Sequence, residues 1–208
     1  MKAIIFDLDG TLWDATHSLT RIWGEEMKKA GITRTLTHAH MLGGMGLGPE
    51  ALAAHMVPEL PPERRKPFFD HVTYIETLLI PQYGAELVPA LRQTLEKLPY
   101  ARMIASNCVD NYIEAFMAYA GVEDLICDFA HPGLTGLSKG GNVKLLMERN
   151  HIDEAILVGD TVLDAQAAQE AGVHFIHADY GFGEVPDAKW RITRFSDLPA
   201  VAAQIFSE

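Results

Sequence analysis

Two carboxylates, Asp7 and Asp9, stand at the end of a short apolar run, Ala3-Ile4-Ile5-Phe6, and Gly10-Thr11 follow at once. Residues two apart on a strand point to one side, so the acids would converge if the strand ran on unbroken. Gly10 permits a tight turn directly after them. Two acids kept close at a strand's carboxyl end are costly unless a cation or a reaction uses them. A carboxylate can attack phosphorus and form an aspartyl-phosphate, splitting one hard step into two easier ones. A second carboxyl can protonate the leaving oxygen and later take a proton from water. Backbone N–H groups around Gly10 can hold phosphate oxygens.

Three further stations each follow a predicted strand. Ser106-Asn107 comes after Met103–Ala105 and before a helix, where a hydroxyl and neighbouring N–H groups suit a phosphoryl group; a plain helix cap is the alternative. Lys139, in Leu137-Ser138-Lys139-Gly140-Gly141, stands at a helix mouth and can neutralise charge there; Lys144, one turn on, reads as solvent-facing. Gly159-Asp160-Thr161-Val162-Leu163-Asp164 follows the strand Ala155–Val158. Asp160 and Asp164 are spaced to face one point, and hard oxygen ligands with room for water are what Mg²⁺ takes.

The elements that must position these stations fall into two parts. From about Tyr100 onward, strands over Ala101–Ala105, Leu125–Phe129, Ala155–Val158 and Val173–Ile176 alternate with helices over Asn111–Ala120, Gly141–Arg149, Val162–Ala171 and Leu198–Phe206. Such alternation predicts a parallel sheet covered on both faces, with residues 3–7 as a mid-sheet strand and Glu86–Leu98 as the first helix of this part. Ligands bind beyond the carboxyl ends of such strands, which puts all four stations in one place. Residues 15–80 carry helical patterns over Ser18–Ala30, Glu50–Met56 and Glu63–Leu79, no strand, and a loop rich in glycine from Gly43 to Gly48. They read as an all-helical insertion.

With the stations in this order, the chain resembles the haloacid dehalogenase superfamily of phosphohydrolases over essentially its whole length. DLDGT at residues 7–11 is the most specific piece, and GDTVLD at 159–164 with AQAAQEAG after it is nearly as telling. The helical insertion is similar to the small cap of the phosphoglycolate-phosphatase-like branch. The resemblance implies a doubly wound, Rossmann-like α/β core over residues 1–14 and 81–208, with a helical cap over 15–80. It implies a Mg²⁺-dependent phosphatase that hydrolyses a small phosphate monoester through an aspartyl-phosphate. Asp7 would be nucleophile and metal ligand, and Asp9 the general acid and base that also gives its backbone carbonyl to the metal. Asp160 and Asp164 would complete the metal site, Lys139 would neutralise charge, and Ser106 and Asn107 would hold phosphoryl oxygens. Thr11 would bind substrate and shape the turn; Asp14 has no clear role. Relatives often carry Lys-Pro where this chain has Lys139-Gly140.

Other activities are weighed against this. A dehalogenase needs no acid at Asp9, and a phosphonate-cleaving relative needs a buried cap lysine that nothing marks. A phosphohexose mutase of the same fold is the alternative, although the Gly43–Gly48 loop offers no cation for a second phosphate. A phospho-accepting module or a non-catalytic binding protein is a further alternative from another class.

The chain has 208 residues, with 17 basic against 28 acidic and a net charge of −11, which argues against nucleic-acid and anionic-membrane partners. A small phosphorylated metabolite remains compatible, because one lysine and one divalent cation reverse the local field. Oligomeric state is not legible. Cys108 and Cys127 lack metal or redox spacing and read as buried free thiols, and no run reaches transmembrane length; both fit a cytoplasmic setting. His38 and His40 read as a polar loop, Trp13 as packing at the core–cap seam, and Met41, Met45 and Met56 as cap packing. Tyr180-Gly181-Phe182-Gly183 is either a plain turn or an approach to the site. His17, Ser18 and Arg21 are candidates for specificity.

Overall fold

In the computed structural model, which describes residues 1–207, the elements run β1 (Lys2–Phe6), β2 (Trp13–Asp14), α1 (Thr16–Lys29), α2 (His38–Leu42), α3 (Pro49–Met56), α4 (Pro62–Tyr83) and β3 (Glu86–Leu87). They continue through α5 (Leu91–Lys97), β4 (Ala101–Ala105), α6 (Tyr112–Ala120), β5 (Asp128–Ala130), α7 (Pro132–Thr135), α8 (Lys139–Arg149) and β6 (Glu154–Gly159). The chain closes with α9 (Val162–Ala171), β7 (His174–Ala178), β8 (Trp190–Ile192) and α10 (Leu198–Ile205). The six long-sheet strands are all parallel in the order β5-β4-β1-β6-β7-β8, so β1 lies inside the sheet as its sequence position requires.

Period-2 alternation gives this sheet two buried faces. Ile4 and Phe6 of β1 face a large apolar cluster with Ile104, Ile156, Val158 and Phe116, while Ala3 and Ile5 face a smaller one with Met103, Leu157, Val143 and Leu146. Helices α8 and α9 therefore cover the second face, and Ala155, Ala167 and Ala168 let them pack closely. Among the described residues no helix is long and apolar enough to cross a membrane.

Helices α1 to α4 all lie between β2 and β3 in the chain, and α1 packs on α2 and α4, and α3 on α4. The apolar stripe of α1 is Leu19, Ile22, Trp23 and Met27, at the spacing of one helix face. Pro61 and Pro62 start α4, where a missing N–H costs nothing, and the helix runs through Pro67 to Tyr83, past the expected Leu79.

Four local features depart from the sequence expectation. The helix expected from Glu86 begins at Leu91, because Trp13–Asp14 pairs antiparallel with Glu86–Leu87 and Pro89 biases its predecessor away from helix. The strand expected over Leu125–Phe129 is only Asp128–Ala130, at the sheet edge. Cys127 thus stands before the strand and is exposed, and Cys108 is half-buried; both thiols are free, but neither is buried as expected. Strand β8 and helix α2 were not anticipated, having three and five residues and no periodicity to read.

Candidate active site

The carboxyl end of β1 emerges between β4 and β6, where the chain leaves the sheet in opposite directions. The Asp7 N–H donates to the Val158 carbonyl at 2.8 Å, extending the ladder by one residue and fixing Asp7 at the strand's tip. Gly10, at φ +79°, then turns the chain, and its N–H donates to the Trp13 carbonyl at 2.8 Å. A Cβ at Gly10 would overlap the Asp160 carboxylate, so the turn requires glycine for space as well as for conformation.

Asp7, Asp160 and Asp164 each place a carboxylate oxygen within 4.8 Å of the others, and all three are buried. The Lys139 Nζ lies 2.5 Å from Asp7 Oδ1 and is bonded to Asp164 Oδ1 as well. Lys139 is the first residue of α8, capped by Ser138, whose hydroxyl accepts from the Gly141 N–H at 3.0 Å. It is 7% exposed, whereas Lys144 faces solvent, so of the two lysines Lys139 is the one that lies within the acidic cluster. Burial and then Asp164 push the Asp7 carboxyl well above its ordinary range, against the opposing pull of Lys139. Burial and Asp164 likewise raise Asp160 to about 6. Burial alone would lower the Lys139 ammonium, but Asp164 and Asp7 outweigh it and hold the charge.

This donor set fits a hard divalent cation. Ionised together, the three carboxylates against one ammonium would leave two negative charges for a cation to offset, in keeping with the raised Asp7 and Asp160 pKa values, and all the donors are oxygens. Asp164 has a second task. Its Oδ2 accepts from the Thr161 N–H at 2.9 Å and the Thr161 hydroxyl at 2.8 Å, a capping box that starts α9 and points the carboxylate inward.

Asp160 is anchored from several directions. The Phe182 N–H donates to Oδ2 at 2.7 Å and the Thr11 hydroxyl to Oδ1 at 3.3 Å. His177 Nε2 lies 3.2 Å from the Asp160 carbonyl. The Tyr180 hydroxyl donates to the Thr11 carbonyl at 2.9 Å. Tyr180–Gly183 is therefore the loop that holds Asp160, and any side chain at Gly181 would collide with the Asp160 Cβ. Thr11 is completely buried and turns its hydroxyl to Asp160, away from the cavity described next.

A cavity of about 70 Å³ opens on Asp7, Asp9, Ser106 and Asn107 and is roofed by residues of α1 to α4 and the loop between α2 and α3. The Asp9 carboxyl faces this cavity, apart from the three-acid cluster. Its Oδ1 accepts from the Tyr112 hydroxyl at 2.9 Å and the Trp13 indole N–H at 3.0 Å. Burial raises Asp9 to about 7 even though both donors favour its ionised form. Trp13 thus combines packing on Tyr112 and Phe116 with a bond to Asp9. Ser106 Oγ accepts from the Cys108 N–H at 3.3 Å at the end of β4. The Asn107 side-chain amide donates to the Gly46 carbonyl at 2.9 Å, tying the glycine-rich loop to the sheet.

Several secondary candidates take other places. Asp14 Oδ1 accepts from the Thr16 N–H at 2.8 Å and the Thr16 hydroxyl at 2.5 Å, which ties the carboxylate to the first residue of α1. His38 stacks on His17, and His40 on His55, so the His38–His40 pair converges on no common ligand point. Ser18 donates to the Gly84 carbonyl, and Arg21 lies over the Tyr83 ring. Their helix neighbours Leu19 and Trp23 line the cavity instead, as do Met41 and Met45.

Sequence reasoning missed Tyr112 and Glu76. Glu76 is buried in the apolar stripe Phe69, Val72, Thr73, Glu76, Ile80 of α4, and its Oε1 accepts from the Trp23 indole N–H. An acid at a core position of a helical repeat is a signal the sequence does carry. Tyr112 carries none, because a tyrosine in the first turn of an apolar helix reads as packing.

A family model for haloacid dehalogenase-like hydrolases matches residues 4–178. Phosphoglycolate phosphatase of Nitrosospira multiformis is 30% identical over 203 residues, spanning 90% of this chain and 87% of its own length. Phosphoglycolate phosphatase of Rhodobacter capsulatus is 24% identical over 218 residues, spanning 96% and 94%. Among solved structures, CbbY from Rhodobacter sphaeroides in complex with phosphate superposes with a TM-score of 0.78 at 17% identity, covering 94% of this chain and 95% of that one. A subfamily IA hydrolase of the same superfamily from Geobacter sulfurreducens gives 0.71 at 17%, covering 95% and 94%. The matched span includes every station from Asp7 to Asp164 and runs on through α9 and β7 to Ala178, and on this ground the chain belongs to the haloacid dehalogenase-like hydrolase family.

Proposed function

We propose that this protein is a Mg²⁺-dependent phosphoric monoester hydrolase acting on a small phosphorylated metabolite in a reducing cytoplasm, with Asp7 as nucleophile. The observation that carries the reading is the division of labour between two carboxyls at one cavity. Asp7 is held beside Lys139 and the other buried acids, while Asp9 stands apart with a raised pKa of about 7.

Asp7 forms a bond to phosphorus while the ester oxygen leaves and takes its proton from Asp9. Asp9, now ionised, accepts a proton from water as that water attacks the aspartyl-phosphate, and phosphate departs with Asp7 restored. Lys139 favours the ionised form of Asp7 and offsets charge on the phosphoryl oxygens. The Ser106 hydroxyl and the Asn107 backbone N–H hold those oxygens at the end of β4. Asp7, Asp160, Asp164 and the Asp9 carbonyl would hold Mg²⁺, which supplies Lewis-acid stabilisation of the phosphoryl charge. The helices over residues 15–80 serve as a cap that excludes water from the cavity.

Two alternatives find less support. A mutase needs a cation for a second phosphate, and among the described residues no Lys, Arg or His lines the cavity. A phospho-accepting module needs no enclosed cavity beside its acceptor.

Screening small phosphorylated metabolites for released phosphate tests the reading. Release is expected with Mg²⁺, is expected to fall at least about 100-fold with EDTA, and returns on adding Mg²⁺. Rates indifferent to chelation would refute the metal, and no release from any ester would refute the activity.

Tyr112→Phe gives a pH test. The Tyr112 hydroxyl favours ionised Asp9, so removing it raises the Asp9 pKa further. Asp9 must be protonated to serve as general acid, so activity declines above its pKa. The alkaline limb of kcat is therefore expected to move up by about one pH unit in the variant. A limb that stays put or moves down would show that Asp9 does not set it.

A further inference from the structure

The floor and the roof of the cavity differ in chemistry. The floor carries Asp7, Asp9, Ser106 and Asn107. The roof is largely apolar, with Leu19, Met41 and Phe69 among its members, and it contains one carboxyl, Glu76. Glu76 is 6% exposed and is held by a single hydrogen bond, from the Trp23 indole N–H to Oε1. Among the described residues Oε2 has no hydrogen-bond partner. Among the described residues no cation lines the cavity, and the buried Lys139 ammonium is committed to Asp7 and Asp164. Burial, with Asp9 adding to it, raises Glu76 to about 8 despite the Trp23 donor. Oε2 itself is not sealed in the core: it belongs to a cavity-lining residue and is open to a ligand's hydrogen-bonding group.

We propose that Glu76 is the specificity-determining residue of the site, and that its free oxygen hydrogen-bonds a hydroxyl or amino group on the alcohol part of the substrate. The substrate class is then a phosphate monoester of a small alcohol bearing a hydroxyl or amino group and no second anionic group. The proposal rests on the phosphatase reading above and deepens it. A carboxylate tail, such as that of the glycolate ester named for the relatives, would be desolvated against an apolar wall with no cation among the described lining residues to receive it. A hydroxyl or ammonium tail completes Glu76 and leaves the phosphoryl group over Asp7. Sites built to hydrogen-bond a substrate group discriminate strongly against analogues that lack it, because the site's polar group is then left unpaired.

The test compares kcat/KM of the wild type and Glu76→Gln, with Mg²⁺, on four esters: phosphoethanolamine, 2-hydroxyethyl phosphate, ethyl phosphate and 2-phosphoglycolate. The wild type is expected to favour the first two over ethyl phosphate by at least about 10-fold, mainly through KM, with 2-phosphoglycolate poorest. In Glu76→Gln the ratio of phosphoethanolamine to 2-phosphoglycolate is expected to fall at least about 10-fold. Equal or better turnover of 2-phosphoglycolate by the wild type would overturn the proposal while leaving the phosphatase reading intact, and so would unchanged ratios in the variant. Should Glu76→Gln fail to fold, the wild-type ranking decides alone. No phosphate from any ester, 4-nitrophenyl phosphate included, would overturn both.

Discussion

Asp7→Asn is expected to lose at least about 10⁴-fold in kcat on every ester the protein turns over. The amide keeps the shape of the carboxyl but cannot attack phosphorus. Its neighbours make the loss specific to chemistry. Asp7 sits against Lys139 and within reach of Asp160 and Asp164, and its own charge is disfavoured by burial and by Asp164. Neutralising it relieves repulsion among the acids, so the variant should melt at or near the wild-type temperature. Phosphate-release rates and thermal melts measured side by side distinguish this from simple unfolding. Full activity in the variant would end the proposed mechanism.

Lys139→Met is expected to be severe in two respects. Removing one partner of a buried ion pair costs about 3–5 kcal/mol, because the remaining charges stay buried without compensation. For a chain of this length each kcal/mol moves the melting temperature by about 2–4 °C, so a drop on the order of 10 °C is expected in EDTA at pH 8. The sign of the pH dependence follows from the partners. The ammonium stabilises the fold only where the carboxylates are ionised. Asp7, a direct partner of the ammonium, is shifted well upward, so the benefit is greatest at alkaline pH and is lost as that carboxyl protonates with falling pH. The gap between variant and wild type should therefore shrink at pH 5, and denaturant titrations at both pH values check it. Activity falls as well, because Asp7 loses the charge that favours its ionised form. Equal stability at pH 8 would mean that the lysine is incidental to the cluster.

Much of the site was legible because its residues announce themselves by type and by position after strands. Asp7, Lys139, Asp160 and Asp164 do converge, since parallel strands end at one edge and four scattered loops meet there. Other parts were not legible, for reasons of geometry. The turn of Asp9 away from Asp7 depends on donors from Trp13 and Tyr112, the latter 103 residues distant, which no local pattern encodes. The Tyr180–Gly183 loop looks like an ordinary turn until its N–H and its bare glycine are seen against Asp160. On α1 the lining residues were placed on the wrong face. Polar His17, Ser18 and Arg21 drew attention, yet each is satisfied by a neighbour, and apolar Leu19 and Trp23 face the cavity. Cys127 escaped because the strand expected to bury it begins one residue later.

The inner position of β1 has a consequence for how the molecule breathes. Hydrogen bonds on both edges bind this strand to β4 and β6, so freeing its amides demands disruption of the sheet itself, at a free energy near that of global unfolding. The roof is fastened differently. On one side the Asn107–Gly46 bond is a single clasp, and it can open without touching the sheet. Opening that clasp would let the roof admit small molecules while Asp7 stays at the tip of the sheet's inner strand, so that rigidity at one wall and mobility at the other would coexist across the cavity.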